Sequence, residues 1–261
     1  MQYYCGIDIG ASTAKLVVID TASRVVAKII GRSGIDYAKT AEQLLAEMSA
    51  AGSFDRSQIV RSLSTGYGRD NVPWADGKMT EIACHGRGAY HHFQKRMTVI
   101  DIGAQDSKVI HLDETGKRAS FKMNRKCAAG TGSFIEEIAH RLALDISELD
   151  ALAETSTKDV SLGSFCTVFA ATEVLEKIRA GVDVADIVRG AFNSVVKRIM
   201  EMDRVDGILV TTGGVVAHNP FLARLLGQSF GAEAHIAPDA QYTGAFGAAL
   251  FAAEQARKSD S

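Results

Sequence analysis

Two stretches of this chain, CGIDIGASTAKLVVID at residues 5–20 and VIDIGAQDSKVIHLD at residues 99–113, follow one pattern. In each, an apolar run leads into Asp-Ile-Gly-Ala, a polar turn follows, and a Lys seven residues after the Asp begins a second apolar run. Apolar runs separated by a Gly turn are typical of neighbouring strands. Asp8 and Asp101 are therefore equivalent positions in a duplicated unit. We interpret the duplication as two half-domains that face one ligand, the phosphate chain of a nucleotide.

The charge balance excludes several classes of partner. With 29 Lys and Arg against 31 Asp and Glu, the formal net charge of −2 gives no broad electrostatic attraction to nucleic acid or acidic lipid. No apolar run reaches the roughly 18 residues of a membrane span, and the N-terminal sequence MQYYCGIDIG lacks the features of a signal peptide. We therefore expect a cytoplasmic protein with neither nucleic acid nor membrane as a partner.

The order of predicted elements divides the chain into two α/β blocks. Three β-rich runs, a helix that stops at Gly52, a strand and a second helix form a β-β-β-α-β-α series before residue 97. The series restarts at Met97, and an alanine-rich helix from Thr243 returns to the first block. We expect a first domain at residues 1–95 plus 240–261 and a second at residues 96–239.

The first Asp-Ile-Gly-Ala turn has the residue types of a phosphate loop. Gly10 lets backbone amides approach phosphate oxygens, and the small hydroxyls of Ser12 and Thr13 can bond such oxygens without crowding. Lys15 adds a positive charge nearby. Asp8, at the end of the strand, is suited to holding a hydrated Mg²⁺ that faces the phosphates, because Mg²⁺ keeps several waters and often takes one or two carboxylates.

The second turn keeps the glycine and changes the chemistry. Gly103 repeats the glycine of the first turn, whereas Gln105 and Asp106 replace the hydroxyl-rich segment with groups suited to positioning water and metal. We take Asp101, Gln105 and Asp106, together with Asp8, as the candidate catalytic residues.

A third glycine turn follows the strand in ILVTTGGVVAHNP at residues 208–220. The paired glycines Gly213 and Gly214 let a flat base or ribose lie against the backbone, and we expect the next helix to begin at Pro220. One DIG or TGG turn alone is an ordinary tight turn. Two copies in register with a strand-Gly-Gly turn downstream favour a nucleotide site.

This arrangement resembles the acetate and sugar kinase, Hsp70 and actin superfamily, in which two duplicated ribonuclease H-like domains clasp ATP between phosphate loops of this kind. The resemblance covers nearly the whole chain and implies a two-domain α/β ATPase fold. It also implies nucleotide-facing positions at Asp8, Ser12, Thr13, Asp101, Gln105 and Gly213.

The four cysteines separate into two pairs by context. Cys127 and Cys166 each come just before a helix with apolar residues at helical spacing, where the macrodipole favours a thiolate or an anionic cluster. Cys5 lies in the first strand and Cys84 in an amphipathic helix, so we expect core thiols there. A cubane iron–sulfur cluster normally takes four Cys ligands, and a symmetric dimer supplies four from two per subunit. Spacing alone leaves open that Cys127 and Cys166 are also packing residues.

A narrower resemblance rests on five motifs. KCAAGTG, CTVFA, STGYGR, TEIACHG and IDIGAQDSKVI together look like the activator (component A) ATPases of 2-hydroxyacyl-CoA dehydratases, relatives of the ATPase subunits of benzoyl-CoA reductase. The resemblance implies a homodimer bridged by one 4Fe–4S cluster on Cys127 and Cys166, and we expect oxygen sensitivity because a cluster at a dimer interface is accessible to solvent. It also implies that hydrolysis of ATP, with Mg²⁺, drives an electron from ferredoxin or flavodoxin to an iron–sulfur dehydratase or reductase component.

Three alternatives remain open at this point. The chain could serve a benzoyl-CoA reductase or a double-cubane reductase system, because the sequence carries no readable acceptor signature. A small-molecule kinase of the same superfamily is disfavoured by the short chain, which has little insertion to build a substrate pocket. A nucleotide-sensing redox switch would bind ATP without partner-stimulated electron transfer.

One predicted helix carries three histidines. Because no carboxylate cluster matches them, His85, His91 and His92 indicate a solvated or partner-facing helix rather than a metal site.

Overall fold

The computed structural model describes residues 1–124, 128, 130–158, 160–162 and 166–259. Cys127 lies outside these described residues. The chain divides into two compact units: unit 1 comprises Met1–Gln94 with Tyr242–Ser261, and unit 2 comprises Lys95–Gln241. Within the described ranges, no helix is long and apolar enough to cross a membrane.

Unit 1 begins with an antiparallel meander. Its elements are β1 (Tyr3–Ile9), β2 (Thr13–Asp20), β3 (Val25–Arg32), α1 (Tyr37–Ala50), β4 (Ile59–Thr65), β5 (Gly77–Lys78) and α2 (Glu81–Phe93). The strands form one sheet in the order β3-β2-β1-β4-β5, with β1 parallel to β4. All of β1 is buried, as expected for a central strand with both faces covered.

Short polar signals begin the helices of unit 1. Asp36 caps α1 by accepting the N–H of Lys39 at 3.0 Å, and Thr80 caps α2 by accepting the N–H of Ala83 at 3.3 Å. These caps fix where each helix leaves its strand.

Unit 2 repeats the strand order of unit 1. Its elements are β6 (Met97–Ile102), β7 (Ser107–Leu112), β8 (Arg118–Asn124), α3 (Gly132–Leu142), α4 (Leu149–Thr155), α5 (Thr167–Arg179), α6 (Val184–Met200), β9 (Ile208–Thr212), α7 (Gly214–His218), α8 (Pro220–Phe230) and β10 (Ala234–Ile236). The sheet order is β10-β9-β6-β7-β8, and β6 runs parallel to β9. The duplication expected from the two repeated stretches is therefore present in the topology of both sheets, and the expected α/β fold class is confirmed.

The last helix, α9 (Thr243–Ser259), belongs to unit 1. It packs so closely on β1 that a Cβ atom on Gly6 would collide with backbone atoms of Ala245 and Ala249. The glycine in this strand is therefore required by helix packing, since no larger residue leaves room for the helix backbone.

The helix expected to begin at Pro220 is preceded by a shorter one, so that expectation was incomplete. α7 already begins at Gly214 and ends at His218. Asn219 separates the two helices, with φ of −132°, and its side-chain amide donates to the carbonyl oxygen of Val215 at 2.9 Å. Pro220 then occupies the first turn of α8, where its missing N–H costs nothing. The strong start signal of Pro220 is therefore real, but it marks the second helix.

Candidate functional site

The first phosphate loop is a tight turn between β1 and β2. The N–H of Gly10 donates to the carbonyl oxygen of Thr13 at 3.1 Å, and Ser12 is exposed at the tip. Asp8 lies opposite Lys15 in the β1–β2 register and is only 4% exposed. The five residues predicted from the first stretch therefore lie together in one turn of unit 1.

Buried Ser33 holds this loop from the residue after β3. Its hydroxyl donates to the carbonyl oxygen of Gly10 at 2.6 Å, and its N–H donates to the carbonyl oxygen of Ser12 at 3.0 Å. Two hydrogen bonds from one fully buried residue fix the backbone carbonyls of the loop, and this pre-organises the loop for a ligand.

Lys15 brings an available positive charge to the first loop. It is half-buried, and a Cβ atom on Gly10 would lie 3.6 Å from its Nζ atom. In the part of the chain that the structure describes, Lys15 takes part in no ion pair. A half-buried ammonium over a glycine turn is well suited to an anionic oxygen such as that of a phosphate.

The second loop, between β6 and β7, has the same backbone. The N–H of Gly103 donates to the carbonyl oxygen of Asp106 at 2.9 Å, and Gln105 is exposed at the tip. Asp101 lies opposite Lys108 in the β6–β7 register. The residues predicted from the second stretch therefore share one turn of unit 2, as those of the first do in unit 1.

The side chains of the second loop form a buried ion-pair cluster that sequence reasoning missed. Lys108 Nζ lies 2.9 Å from Asp101 Oδ2 and 2.7 Å from Asp106 Oδ1. Thr212, at the end of β9, donates its hydroxyl to Asp101 Oδ1 at 3.1 Å. Lys108 is fully buried, whereas the side chain of Asp106 is 26% exposed. Asp106 is thus the carboxylate of the cluster that reaches solvent.

The second loop is held by the beginning of α3. The N–H of Gly132 donates to the carbonyl oxygen of Gly103 at 2.9 Å, and Ser133 donates both its N–H (2.8 Å) and its hydroxyl (2.7 Å) to the carbonyl oxygen of Ala104. Ser107 donates its hydroxyl to the carbonyl oxygen of Gly130. The loop is therefore tied to the segment that follows Cys127 in the chain.

A pair of Thr-Gly turns lies beside the two aspartates, and only the second was predicted to be part of the nucleotide site. Thr65 pairs with Asp8 at the ends of β4 and β1, and Thr212 pairs with Asp101 at the ends of β9 and β6. The next residues are glycines with φ of +87° at 66 and +97° at 213. The repeated Thr-Gly after an apolar strand is the signal that could have found the first of these turns.

The glycine of each Thr-Gly turn is required for two separate reasons. The left-handed φ disfavours a side chain, and a Cβ at either position would press on the adjacent aspartate, on Asp8 Oδ1 for Gly66 and at 2.7 Å from Asp101 Oδ1 for Gly213. The carboxyl ends of parallel strands are where α/β sheets bind ligands, so both turns lie where a phosphate site is expected.

The second glycine of the downstream turn lies close to Gln241. Gly213 donates its N–H to the carbonyl oxygen of Ala240 at 2.9 Å, and a Cβ on Gly214 would lie 3.3 Å from Gln241 Nε2. The two predicted glycines therefore begin α7 with a backbone free of side chains.

His85 corrects the interpretation of the histidine helix. The sequence favoured a solvated or partner-facing helix, yet His85 is only 4% exposed and lies close to Asp8 within unit 1. An added Cβ on Gly244 would lie 2.8 Å from Asp8 Oδ2 and 2.9 Å from His85 Nε2. His85 is therefore turned into unit 1, whereas His92, two turns later at the end of α2, is exposed and stacks on Phe246 of α9 with ring centroids 5.3 Å apart.

The described cysteines behave differently from one another. Cys5 and Cys84 are fully buried, and burial raises the pKa of each thiol to about 12. Cys166 is exposed and caps the N-terminus of α5, where its carbonyl oxygen accepts the N–H of Ala170 at 2.8 Å. Cys166 is therefore the described thiol that is accessible to a ligand, and Cys127 lies outside the described residues.

Two sheets of one order, each with a glycine turn after the central strand and a Thr-Gly turn beside it, define the duplicated α/β fold of an ATPase. The chain belongs to the BadF/BadG/BcrA/BcrD ATPase family, which it matches over residues 5–252.

Relatives of this chain include two dehydratase activators. The (R)-2-hydroxyglutaryl-CoA dehydratase activating ATPase of Acidaminococcus fermentans is 39% identical over 260 residues, which span 98% of this chain and 99% of the relative. The crystal structure of component A of that dehydratase has a TM-score of 0.93 at 37% identity and is matched over 98% of this chain and 100% of its own.

The second solved relative was determined with a nucleotide analogue. The activator of the 2-hydroxyisocaproyl-CoA dehydratase from Clostridium difficile, with bound ADPNP, has a TM-score of 0.90 at 35% identity, over 99% of this chain and 97% of its own. A subunit of the benzoyl-CoA reductase from Thauera aromatica is 28% identical over 265 residues, 97% of this chain and 94% of the relative.

Proposed function

We propose that this chain is the ATP-dependent electron-transfer activator of a 2-hydroxyacyl-CoA dehydratase. The observation that carries the proposal is full-length similarity to dehydratase activators in a chain whose second unit has an exposed Cys166 at a helix N-terminus. Its partner is the iron–sulfur dehydratase component, and ferredoxin or flavodoxin is the electron donor.

The first loop grips the phosphates of ATP. Gly10 offers its turn, Ser12 and Thr13 offer hydroxyls, and Lys15 offers an ammonium that no carboxylate neutralises among the described residues. Gly103 plays the matching backbone role in the second loop, and Gly213 and Gly214 receive the base or ribose. The match to a relative solved with ADPNP supports these roles.

The second loop prepares the attacking water. Gln105 is exposed and able to orient a water by hydrogen bonding, and Asp106 is the carboxylate of its cluster that reaches solvent. Asp101 supports this arrangement from the end of β6. Hydrolysis of this kind depends chiefly on positioning and on electrostatic stabilisation of the transferred phosphoryl group.

The residues present fit Mg²⁺ at the first loop. Asp8 is a buried carboxylate at the end of β1, beside the Thr-Gly turn of β4, and a single carboxylate that acts through water is a usual protein contribution to a Mg²⁺–nucleotide site. Bound Mg²⁺ would neutralise charge on the phosphate oxygens. Asp8 would orient its water ligands.

Of the three described cysteines, Cys166 alone is exposed and fits a cluster ligand, and its sequence context makes Cys127 the second ligand. A ligand must be a thiolate, which Cys5 and Cys84 resist because burial raises the pKa of each to about 12. Two cysteines from each of two subunits complete the four ligands of one 4Fe–4S cluster, which would supply a one-electron redox centre. Phe169, one turn after Cys166, is 67% exposed, and a homodimer would cover it.

The chain couples its loops to its cysteines through hydrogen bonds within unit 2. Ser133 and Gly132 bind the carbonyls of the second loop, and both follow Cys127 in the chain. A change at the loop on hydrolysis therefore displaces the start of α3. Because Cys127 precedes α3 in the sequence and Cys166 is the N-cap of α5, we expect this displacement to alter the exposure of the cluster and so its potential.

The test is anaerobic purification with iron and sulfide analysis and an absorption spectrum. We expect four iron per dimer, loss of iron in Cys127→Ser and Cys166→Ser, and no loss in the matched control Cys84→Ala. Protein that contains the cluster and has been reduced by its electron donor should reduce the dehydratase component only when ATP is present. Iron retained in full by Cys166→Ser, or reduction of the dehydratase without ATP, would refute the proposal.

A second acceptor is supported by one relative. The similarity to a benzoyl-CoA reductase subunit along almost the whole chain makes an aromatic acyl-CoA reductase the alternative partner. The chemistry within this chain is the same in both cases. An assay of the reduced, cluster-containing protein with the dehydratase component and with the aromatic acyl-CoA reductase decides between the two. The true acceptor alone should take up electrons in proportion to the ATP hydrolysed.

A further inference from the structure

The two phosphate loops carry a lysine at the same position, and the two lysines differ in their ion pairs. Lys15 and Lys108 both lie seven residues after the loop aspartate and opposite it in register. The glycine hydrogen bond across each turn is also the same, to Thr13 at 3.1 Å in one loop and to Asp106 at 2.9 Å in the other. Since the backbones match, a functional difference between the lysines must come from the neighbouring side chains.

The neighbour that differs is the third residue after the glycine. In the first loop it is Thr13, which carries no charge, and Lys15 takes part in no ion pair within the described ranges. In the second loop it is Asp106, whose Oδ1 lies 2.7 Å from Lys108 Nζ. The exchange of Thr for Asp at this position therefore gives Lys108 a carboxylate partner that Lys15 lacks, in addition to the pair of Lys108 with Asp101.

Burial makes the capture of Lys108 complete. Its side chain is fully buried, and Asp101 Oδ2 lies 2.9 Å away on the other side. A buried ammonium is stable only when it is paired and hydrogen-bonded, and removing one partner of such a pair is strongly unfavourable. Lys108 is therefore held too firmly to leave the cluster for a phosphate, and its effect falls on the two carboxylates.

We propose that Lys108 is a positioning residue for ATP hydrolysis that holds the carboxylate of Asp106 at the second loop, whereas its counterpart Lys15 contacts the phosphates. This division of labour rests on the proposed ATPase function. Asp106 is partly exposed and bound to Lys108 through Oδ1, so Lys108 fixes the direction in which its other oxygen faces. Asp101, bonded to both Lys108 and Thr212, anchors the lysine.

The test separates kcat from KM in the full-length protein. We expect Lys108→Met to lower kcat for ATP hydrolysis at least ~100-fold, the lower end of the range for a positioned acid–base group, and to change KM by less than about 3-fold. Lys15→Met should raise KM for ATP at least ~10-fold, because it removes ground-state binding. Lys122→Met, an exposed lysine on β8, is the control and should change neither constant.

A double-mutant cycle tests whether Lys108 acts through Asp106. Asp106→Asn alone should lower kcat, and adding it to Lys108→Met should lower kcat no further, because residues that work as a unit are not additive. Additive losses, or equal increases in KM for Lys108→Met and Lys15→Met, would overturn the proposal. If Lys108→Met does not fold, Asp106→Asn still decides, since unchanged kcat in that variant is equally fatal.

Failure of this inference is distinct from failure of the proposed function. If the wild-type protein hydrolyses ATP but transfers no electron to either acceptor, the activator role is wrong while the kcat and KM comparison still stands. If the electron transfer is found and Lys108→Met hydrolyses ATP at the wild-type rate, the activator role stands and the role of Lys108 is wrong.

Discussion

Ser133 donates two hydrogen bonds to a single acceptor, the carbonyl oxygen of Ala104, from its N–H at 2.8 Å and from its hydroxyl at 2.7 Å. The first turn of a helix and the tip of a phosphate loop are thereby joined. In the first loop the carbonyls of Gly10 and Ser12 are held by Ser33, just after β3. In the second loop the carbonyls of Gly103 and Ala104 are held by Gly132 and Ser133, which follow Cys127 in the chain. In the sequence, the segment that contains Cys127 therefore connects β8 to the residues that bind the loop.

Ser133→Ala should uncouple hydrolysis from electron delivery. The variant keeps the backbone hydrogen bond and loses the hydroxyl one, which contributes roughly 0.5–1.5 kcal/mol, and electrons delivered per ATP should fall by up to about tenfold. The measurement is reduced acceptor against phosphate released. Ser147→Ala, at an exposed turn of the same unit, is the control. An unchanged ratio in Ser133→Ala would remove this link from the coupling path.

Gly66→Ala should abolish nucleotide binding, an effect that backbone strain alone does not produce. The matched control is Gly52→Ala, because Gly52 has φ of +83° and open space around its Cβ position, whereas a Cβ on Gly66 collides with Asp8. Both variants should lose roughly 1 kcal/mol or more of stability from the left-handed backbone. Only Gly66→Ala should lose ATP binding in calorimetry. Equal ATP affinity in the two variants would contradict this placement of the turn.

Thiol alkylation should distinguish the described cysteines in cluster-free protein. At pH 8, iodoacetamide should modify Cys166, which is exposed. Cys5 and Cys84 should react only after denaturation, because burial covers them and raises the pKa of each to about 12. Peptide mass spectrometry gives the extent at each site. Modification of Cys84 as fast as Cys166 under native conditions would contradict the packing of α2.

The same two thiols predict a loss of stability in alkali. Their pKa is raised from the ordinary value of 9.0, so the stabilisation is fully present below pH 9 and is lost progressively as the pH rises from about 9 to about 12. Urea unfolding at pH 8 and pH 10.5 measures this. The double variant Cys5→Ala, Cys84→Ala should show a smaller loss between these pH values than the wild type does.

Asp186 predicts the opposite behaviour in acid. It is 2% exposed and accepts hydrogen bonds from the Ser156 hydroxyl at 2.8 Å and from the N–H of Lys158 at 3.0 Å. The Ser156 hydroxyl and the backbone N–H groups of Lys158 and Thr157 hold the pKa of Asp186 below its ordinary value. The stabilisation is therefore present above about pH 3.8 and is lost as the pH falls through the lowered pKa.

Asp186→Asn makes this pH dependence measurable. The wild type should be more stable than the variant in urea at pH 6, and the difference should shrink as the pH is lowered below 4. Glu176→Gln, an exposed position on α5, is the control and should keep a constant difference from the wild type. A difference between wild type and Asp186→Asn that is independent of pH would show that the carboxylate charge is not involved.

The sequence predicted features that are written in local patterns. The repeated Asp-Ile-Gly-Ala, the alternating apolar runs and the helix stop at Gly52 gave the strands, the duplication and both loops, because each depends on a few adjacent residues. The burial of Cys5 in β1 followed from the same pattern, since all of that strand is covered.

What the sequence did not predict depends on register between distant strands. Thr65 comes to Asp8 because β4 lies parallel to β1. Lys108 is held between two carboxylates because Asp101 lies opposite it in the β6–β7 register and the loop brings Asp106 close to it. His85 was misjudged for a related reason: its helix carries polar residues on more than one face, and the pairing of α2 with α9 decides which face is buried. Pro220 correctly predicted the start of α8, whereas the short helix α7 before it was not predicted.

The close packing of α9 on β1, which leaves no room for a side chain at Gly6, has a consequence for biosynthesis. Unit 1 needs both Met1–Gln94 and the segment from Tyr242, whereas unit 2 is continuous in the chain. On the ribosome, where domains generally fold as they emerge, unit 2 has all its residues before unit 1 receives the helix that covers its central strand. Until α9 is synthesised, the face of β1 that it covers remains exposed, and chaperones can bind the nascent chain there.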